Sequence, residues 1–170
     1  MRLHLEQTFP GTVEEVEAVF VDPDFIAGLA ALPKLGSPEL LEQRRDGDTI
    51  TQRVRYRFAG HLSPTVSRVI DPAKLVWVEE IAYDRATHIA PFRILPEHYA
   101  DRLTCSGTYR FEGDGPWQSR RRAEGELSVR YPLVGGAVER AIMSGLVTHA
   151  EEQAVLVSRE LDQRSRERGG

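Results

Sequence analysis

The sequence predicts an α+β domain in which a curved antiparallel sheet of about seven strands wraps on a long C-terminal helix, with two short helices after the first strand. Three observations predict it. Between residues 40 and 131, apolar and polar residues alternate with a period of two, in segments broken by Asp-Gly, Asp-Pro and Gly-Asp-Gly turns. After Tyr131 the period becomes helical, and Val134, Val138, Ala141, Ile142, Leu146, Ala150, Ala154, Val157 and Leu161 trace one side. Ahead of both lies one alternating segment followed by two helical stretches.

The first strand sets Leu3, Leu5 and Gln7 against His4, Glu6 and Thr8, and Pro10-Gly11 breaks it. Thr12 stands before Val13-Glu14-Glu15 as a capping box, so a helix starts there with Val13, Val16, Val19 and Phe20 at helical spacing. Asp22-Pro23 opens a second short helix carrying Phe25, Ile26, Leu29 and Leu32 on one side, and Pro33 ends it. Strands are expected over 41–45, 49–59, 65–70, 75–83, 87–95, 103–111 and 120–131, joined by short turns and therefore antiparallel. The helix that follows covers 133–163, roughly 45 Å. The chain reads as one domain over 1–163 with a flexible polar tail over 164–170.

Val54, Tyr56 and Phe58 oppose Arg53, Arg55 and Arg57, and Leu127, Val129 and Tyr131 oppose Arg122, Glu124 and Glu126. The charged side faces water, and the helices must cover the other. A twisted sheet of this size curls, and a straight helix does not fill its concave side. The expected gap is a cavity suited to an apolar small molecule.

Composition narrows the partners. The chain has 170 residues and a net charge of −4, so no global positive field attracts nucleic acid. The single cysteine, Cys105, permits neither an intramolecular disulfide nor a cysteine metal cluster, and reads as a buried small residue. No apolar run spans a membrane and the N-terminus lacks a signal-peptide pattern, so a cytoplasmic location is expected, as monomer or dimer. His4, His61, His88, His98 and His149 show no metal-ligand spacing, and no nucleotide-binding glycine motif is present, so neither metal nor cofactor is expected. Arg120-Arg121-Arg122 reads as a solvated charge ladder whose outer members face Glu124 and Glu126.

The candidate lining follows from the inward faces. Tyr56, Tyr83 and Tyr109 offer apolar bodies with one hydroxyl each. Phe58, Trp77, Phe92, Leu127, Val129, Ile142 and Leu146 supply apolar wall. Gly145, mid-helix on the inward side, costs about 1 kcal/mol relative to alanine, which points to close packing by a strand or to room for a ligand. His149 lies one turn beyond it. His88 shares a strand face with Ala90, Phe92 and Ile94, and Glu79 one with Trp77, Ile81 and Tyr83. If both faces turn inward, His88, Glu79 and His149 are the candidate acid/base groups, with a structural hydrogen bond as the alternative.

In this order of elements the chain resembles the START-like superfamily, also called SRPBCC or helix-grip proteins. The carrying segments are Val69-Ile70-Asp71-Pro72 ahead of Leu75-Val76-Trp77-Val78-Glu79-Glu80, then Cys105-Ser106-Gly107-Thr108, then Val129-Arg130-Tyr131-Pro132-Leu133-Val134-Gly135-Gly136 with Glu139 and Ile142. Within that superfamily it is similar to an uncharacterised bacterial family of unknown function. The resemblance covers almost the whole chain and implies the helix-grip fold, not a reaction. Three functions remain open: carriage of a lipid-like or polyketide-like molecule, catalysis of cyclase, dehydratase or isomerase type in the cavity, or a scaffold with a closed core.

Overall fold

Seven strands form one antiparallel sheet in the order β1-β7-β6-β5-β4-β3-β2. They are β1 (Arg2–Pro10), β2 (Glu39–Asp46), β3 (Thr49–Arg57), β4 (Val76–Asp84), β5 (Ile89–Pro96), β6 (Leu103–Gly113) and β7 (Gln118–Val129). The helices are α1 (Val13–Phe20), α2 (Pro23–Gly28), α3 (Pro64–Ser67) and α4 (Gly135–Gly169), with single 3₁₀ turns at Leu29–Ala31 and Pro72–Lys74. This computed structural model describes residues 1–32, 36, 38–59 and 61–169. The helix-grip architecture expected from the sequence, an antiparallel sheet of seven strands against a long C-terminal helix, is the one observed.

Local chemistry explains the starts. At α1 the Glu15 N–H donates to Thr12 Oγ1 at 3.3 Å, and the Thr12 N–H donates to Glu15 Oε2 at 2.9 Å, which completes the capping box. Asp22 caps α2 by accepting from the Asp24 N–H at 2.9 Å, with Pro23 in the first turn. The Pro33 stop lies outside the described residues.

Three expectations are corrected. Residues 65–70 do not form a strand: Ser63 accepts from the Val66 N–H and Pro64 sits in the first turn, so a short helix forms there and buries Val66. The strand expected from 87 begins at Ile89, because His88 sits in the β4–β5 turn at φ 58°. The long helix does not stop at 163. It continues to Gly169, where Arg164 pairs with Asp22 and Glu160, and Arg168 Nη2 lies 2.7 Å from Glu15 Oε1. These pairs tie its last turns to the acidic starts of α1 and α2.

The convex face carries the expected charge pairs, including Arg93 Nη2 to Glu80 Oε1 at 2.6 Å and Arg122 Nε to Glu6 Oε2 at 3.0 Å. On the concave side α4 packs mainly on β1, β7 and α1, at one edge of the sheet. Its buried residues are Gly135, Val138, Val157 and Leu161, all near the ends of the covered stretch, and none between 139 and 156 is fully buried. Val129 N–H donates to Glu139 Oε1 at 2.9 Å and fixes the N-terminal end of the helix to β7. Among the described residues no helix is long and apolar enough to cross a membrane.

Gly107 and Gly125 face each other on β6 and β7. A Cβ on Gly107 would stand 2.3 Å from the Glu124 carbonyl oxygen and 2.8 Å from the Phe92 ring, so the backbones approach as only paired glycines permit. Gly107→Ala is therefore expected to lower unfolding free energy by about 1–3 kcal/mol. Gly113→Ala on the same strand, where an added Cβ meets nothing within 4 Å, should shift it by less than about 0.5 kcal/mol. Denaturant unfolding of the two variants checks this.

Candidate binding cavity

Two adjoining voids lie between the unpacked middle of α4 and the concave sheet. The inner one, about 60 Å³, is walled by Phe20, Phe25 and Ile81 but carries the polar groups Gln52, Tyr56, Glu79, Tyr83, Tyr109, Arg121, His149 and Gln153. The outer one, about 110 Å³, is lined chiefly by apolar side chains such as Phe58, Leu75, Trp77, Leu103 and Ile142, with Lys74 and His98 at its edge. Ile94, Cys105, Leu146 and His149 belong to both linings, so the chambers adjoin at these residues.

Gly145 resolves in favour of space. An added Cβ there meets nothing within 4 Å, and the residue lines the outer chamber. The small residues Ala141, Gly145 and Ala150 leave room that leucines in their place would occupy.

Arg121 is the strongest charge of the inner chamber and is only 3% exposed. Its Nε donates to Gln7 Oε1 at 2.8 Å, its Nη2 donates to Gln7 Oε1 and also to Gln153 Oε1, the latter at 3.4 Å, and its Cζ lies 4.2 Å from the Phe20 ring centre and 4.9 Å from that of Tyr109. Gln7 is oriented in turn by donating from Nε2 to the Ala150 carbonyl of α4 at 2.6 Å. Two amides and these rings, with that of Phe9 at 5.8 Å, thus hold a guanidinium that burial pushes below its usual pKa.

Glu79 does turn inward: it is register-paired with Val54 and Ile94 and lies on the face of Trp77 and Ile81. It makes no side-chain hydrogen bond among the described residues. Burial pushes its carboxyl from 4.5 up to about 7, against a smaller pull from Arg121. His149 stands edge-on to Tyr56 with ring centres 5.9 Å apart, and its Nδ1 is buried without a partner. Burial, then Arg121, lower it from 6.5 to about 4, so the imidazole is neutral near neutral pH. Burial also raises the Tyr56, Tyr83 and Tyr109 hydroxyls, and pushes the Cys105 thiol up to about 11, so all four keep their protons.

His88 goes elsewhere. From its turn, Nδ1 sits 3.1 Å from both oxygens of Glu17, a carboxylate 1% exposed on α1, and His88 lines neither chamber. The structure therefore brings Glu79 and His149 to one chamber and separates His88 from them. Tyr56, Tyr83, Phe92, Tyr109, Leu146 and His149 line the inner chamber, while Phe58, Trp77, Leu127, Ile142 and Gly145 line the outer one with Leu146 and His149. Val129 is buried outside both.

Sequence reasoning missed Arg121, because the middle of a triple arginine reads as surface. Alternation carried the signal: Arg121 has the parity of Ala123, Leu127 and Val129, and all four are buried. Gln52 likewise shares the parity of Val54 and Tyr56.

A family model described as "Protein of unknown function (DUF2505)" matches residues 4–159. No curated protein matches the chain. Among solved structures, the Zhui aromatase/cyclase from Streptomyces sp. R1128 is 19% identical with a TM-score of 0.67, covering 100% of this chain and 98% of that one. Norcoclaurine synthase from Thalictrum flavum, in complex with dopamine and hydroxybenzaldehyde, is 14% identical with a TM-score of 0.66, covering 96% and 87%. A START superfamily protein from Mycobacterium smegmatis is 14% identical with a TM-score of 0.57, covering 95% and 97%. At such identities the likeness is one of fold.

The Glu79 shift has a stability consequence. Its folded pKa of about 7 exceeds the ordinary 4.5, so its contribution to folding is complete below about pH 4.5 and is lost as pH rises through about 7. Glu79→Gln should therefore exceed the parent in unfolding free energy at about pH 8, by at most about 3 kcal/mol, with the gap closing near pH 5. His149 works in the opposite sense, losing its contribution as pH falls from 6.5 through about 4, but it is common to both proteins and cancels. Denaturant titrations across this range measure the gap.

Proposed function

We propose that this chain, which belongs to the DUF2505 family of proteins of unknown function, binds and carries a small molecule with an apolar body and one polar end. The observation that carries this reading is the pairing of chambers: a greasy one adjoins a second lined by several polar groups. An engineered void of roughly 150 Å³ admits benzene. An apolar chamber of about 110 Å³ beside a polar one of about 60 Å³ suits a ring or short chain with a polar arm. Burial of the apolar body gives affinity at roughly 25 cal/mol per Å², and the hydroxyls of Tyr56, Tyr83 and Tyr109 orient an oxygen at the far end. The norcoclaurine synthase complex with dopamine and hydroxybenzaldehyde supports the reading, because a related fold there accepts oxygen-bearing aromatics of this size. A lipid-like or polyketide-like ligand, and a cytoplasmic site of action for a chain with one unpaired cysteine, belong to the same proposal.

A second reading, catalysis of cyclase, dehydratase or isomerase type, is favoured by one observation. Glu79, poised at about 7, and a neutral His149 line the same chamber, where an acid and a base can act on one substrate.

The binding reading is tested by filling the outer chamber. Gly145→Phe starts from a Cβ that meets nothing within 4 Å, directs its ring into the outer chamber and removes a helix-weakening glycine, so the fold should hold. Titration calorimetry with phenylpropanol is expected to give an affinity at least about tenfold weaker for the variant, a loss of about 1.4 kcal/mol, with an unchanged or higher unfolding midpoint. Equal binding by the two proteins would place the ligand elsewhere.

A further inference from the structure

Arg121 is a buried cation with no carboxylate paired to it among the described residues. Its guanidinium donates to two neutral amide oxygens and is flanked by the rings of Phe9, Phe20 and Tyr109, while Nη1 makes no hydrogen bond among the described residues. Taking a charge out of water is costly unless an opposite charge meets it. The only carboxylate among the lining residues of the inner chamber is Glu79. It sits on β4, three strands from Arg121 on β7, and the register row of Glu79 meets β7 at Leu127, six residues along the strand from Arg121. Both line the chamber, and neither is hydrogen-bonded to the other among the described residues.

Building on the carrier reading, we propose that the polar end of the ligand is a carboxylate, which enters the inner chamber to pair with Arg121 while Glu79 takes up a proton and donates to it. The chemistry balances without a co-reactant: the ligand enters as the anion, one solvent proton moves to Glu79, and no covalent bond between heavy atoms changes. Around Glu79 the other titratable groups of the chamber are Tyr56 on β3, Tyr83 on β4, Cys105 and Tyr109 on β6, Arg121 on β7 and His149 on α4; the lining residues from β1, β5, α1 and α2 are apolar. The tyrosines and the cysteine are held neutral by burial, so Arg121 is the one fixed charge facing it. A second anion in the chamber raises Glu79 above its free value of about 7. Below that pH the proton is already in place. Above it each bound acid must bring one in, so affinity for the acid falls as pH rises, by up to about tenfold per unit, until the pKa of the complex is passed.

The experiment compares phenylpropionate with phenylpropanol by titration calorimetry on the full chain. Wild-type protein is expected to prefer the acid by at least about tenfold at pH 6, with the preference shrinking by pH 8. In buffers of different ionisation enthalpy it should take up to one proton per acid bound and none per alcohol. Arg121→Gln should bind both probes alike, with the alcohol reporting that the variant is folded and its chamber open. Glu79→Gln should keep the preference at pH 8 and take up no proton. Equal affinity of the wild type for acid and alcohol overturns the carboxylate assignment while leaving the carrier reading standing. Binding of neither probe removes the carrier reading itself. Proton uptake that persists in Glu79→Gln moves the proton to His149 and overturns the pairing with Glu79.

Discussion

A straight helix laid across a coiled sheet meets it at its ends before it meets it in the middle. In this chain α4 is fixed near one end by Val138 and the Glu139 bond to Val129, and toward the other by Val157, Leu161 and the pairs of Arg164 and Arg168. Between these anchors no residue from 139 to 156 is fully buried, and the two chambers lie between this stretch and the sheet. A cavity is the geometric remainder of that mismatch. The small residues along the middle of the helix preserve it where larger ones would have filled it.

The electrostatics of the interior follow from where that remainder lies. Glu79, His149 and the tyrosines line the inner chamber, where burial sets the direction of each pKa shift and favours the neutral form of each group. Arg121 is the exception. Its charge is kept in place by amides from β1 and α4 and by aromatic faces, an arrangement that fixes its plane and leaves its charge uncompensated. A different solution appears at the turn before β5, where the buried Glu17 carboxylate is met by His88, with Arg85 Nε 3.9 Å away. That cluster docks the β4–β5 turn onto α1 and has no share in the cavity.

Much of the fold was legible because strands and helices print their periods on the sequence. The Thr12–Glu15 box, the parity of β1, β3 and β7 and the switch to a helical period after Tyr131 each map onto an observed element. The expectations that failed were local. Residues 65–70 have apolar content suited to a strand, yet the Ser63-Pro64 start signal prevailed. At His88 a turn in left-handed backbone took a residue that parity alone assigned to the inward face. The helix ran on past 163 because ion pairs with α1 and α2, distant in sequence, held its polar end.

By itself the sequence determined which residues of a strand share a side, since a strand has only two sides and alternation names them; this placed Tyr56 and Tyr109 inward, grouped Glu79 with Trp77, Ile81 and Tyr83, and would have grouped Arg121 with Leu127 and Val129. Only the tertiary structure decided which inward residues meet, and whether anything fills the space between them. Those outcomes depend on how far β4 and β7 curl toward each other and on where a rigid helix comes to rest. Both are set by contacts among residues far apart in the chain, and a local period carries no record of them.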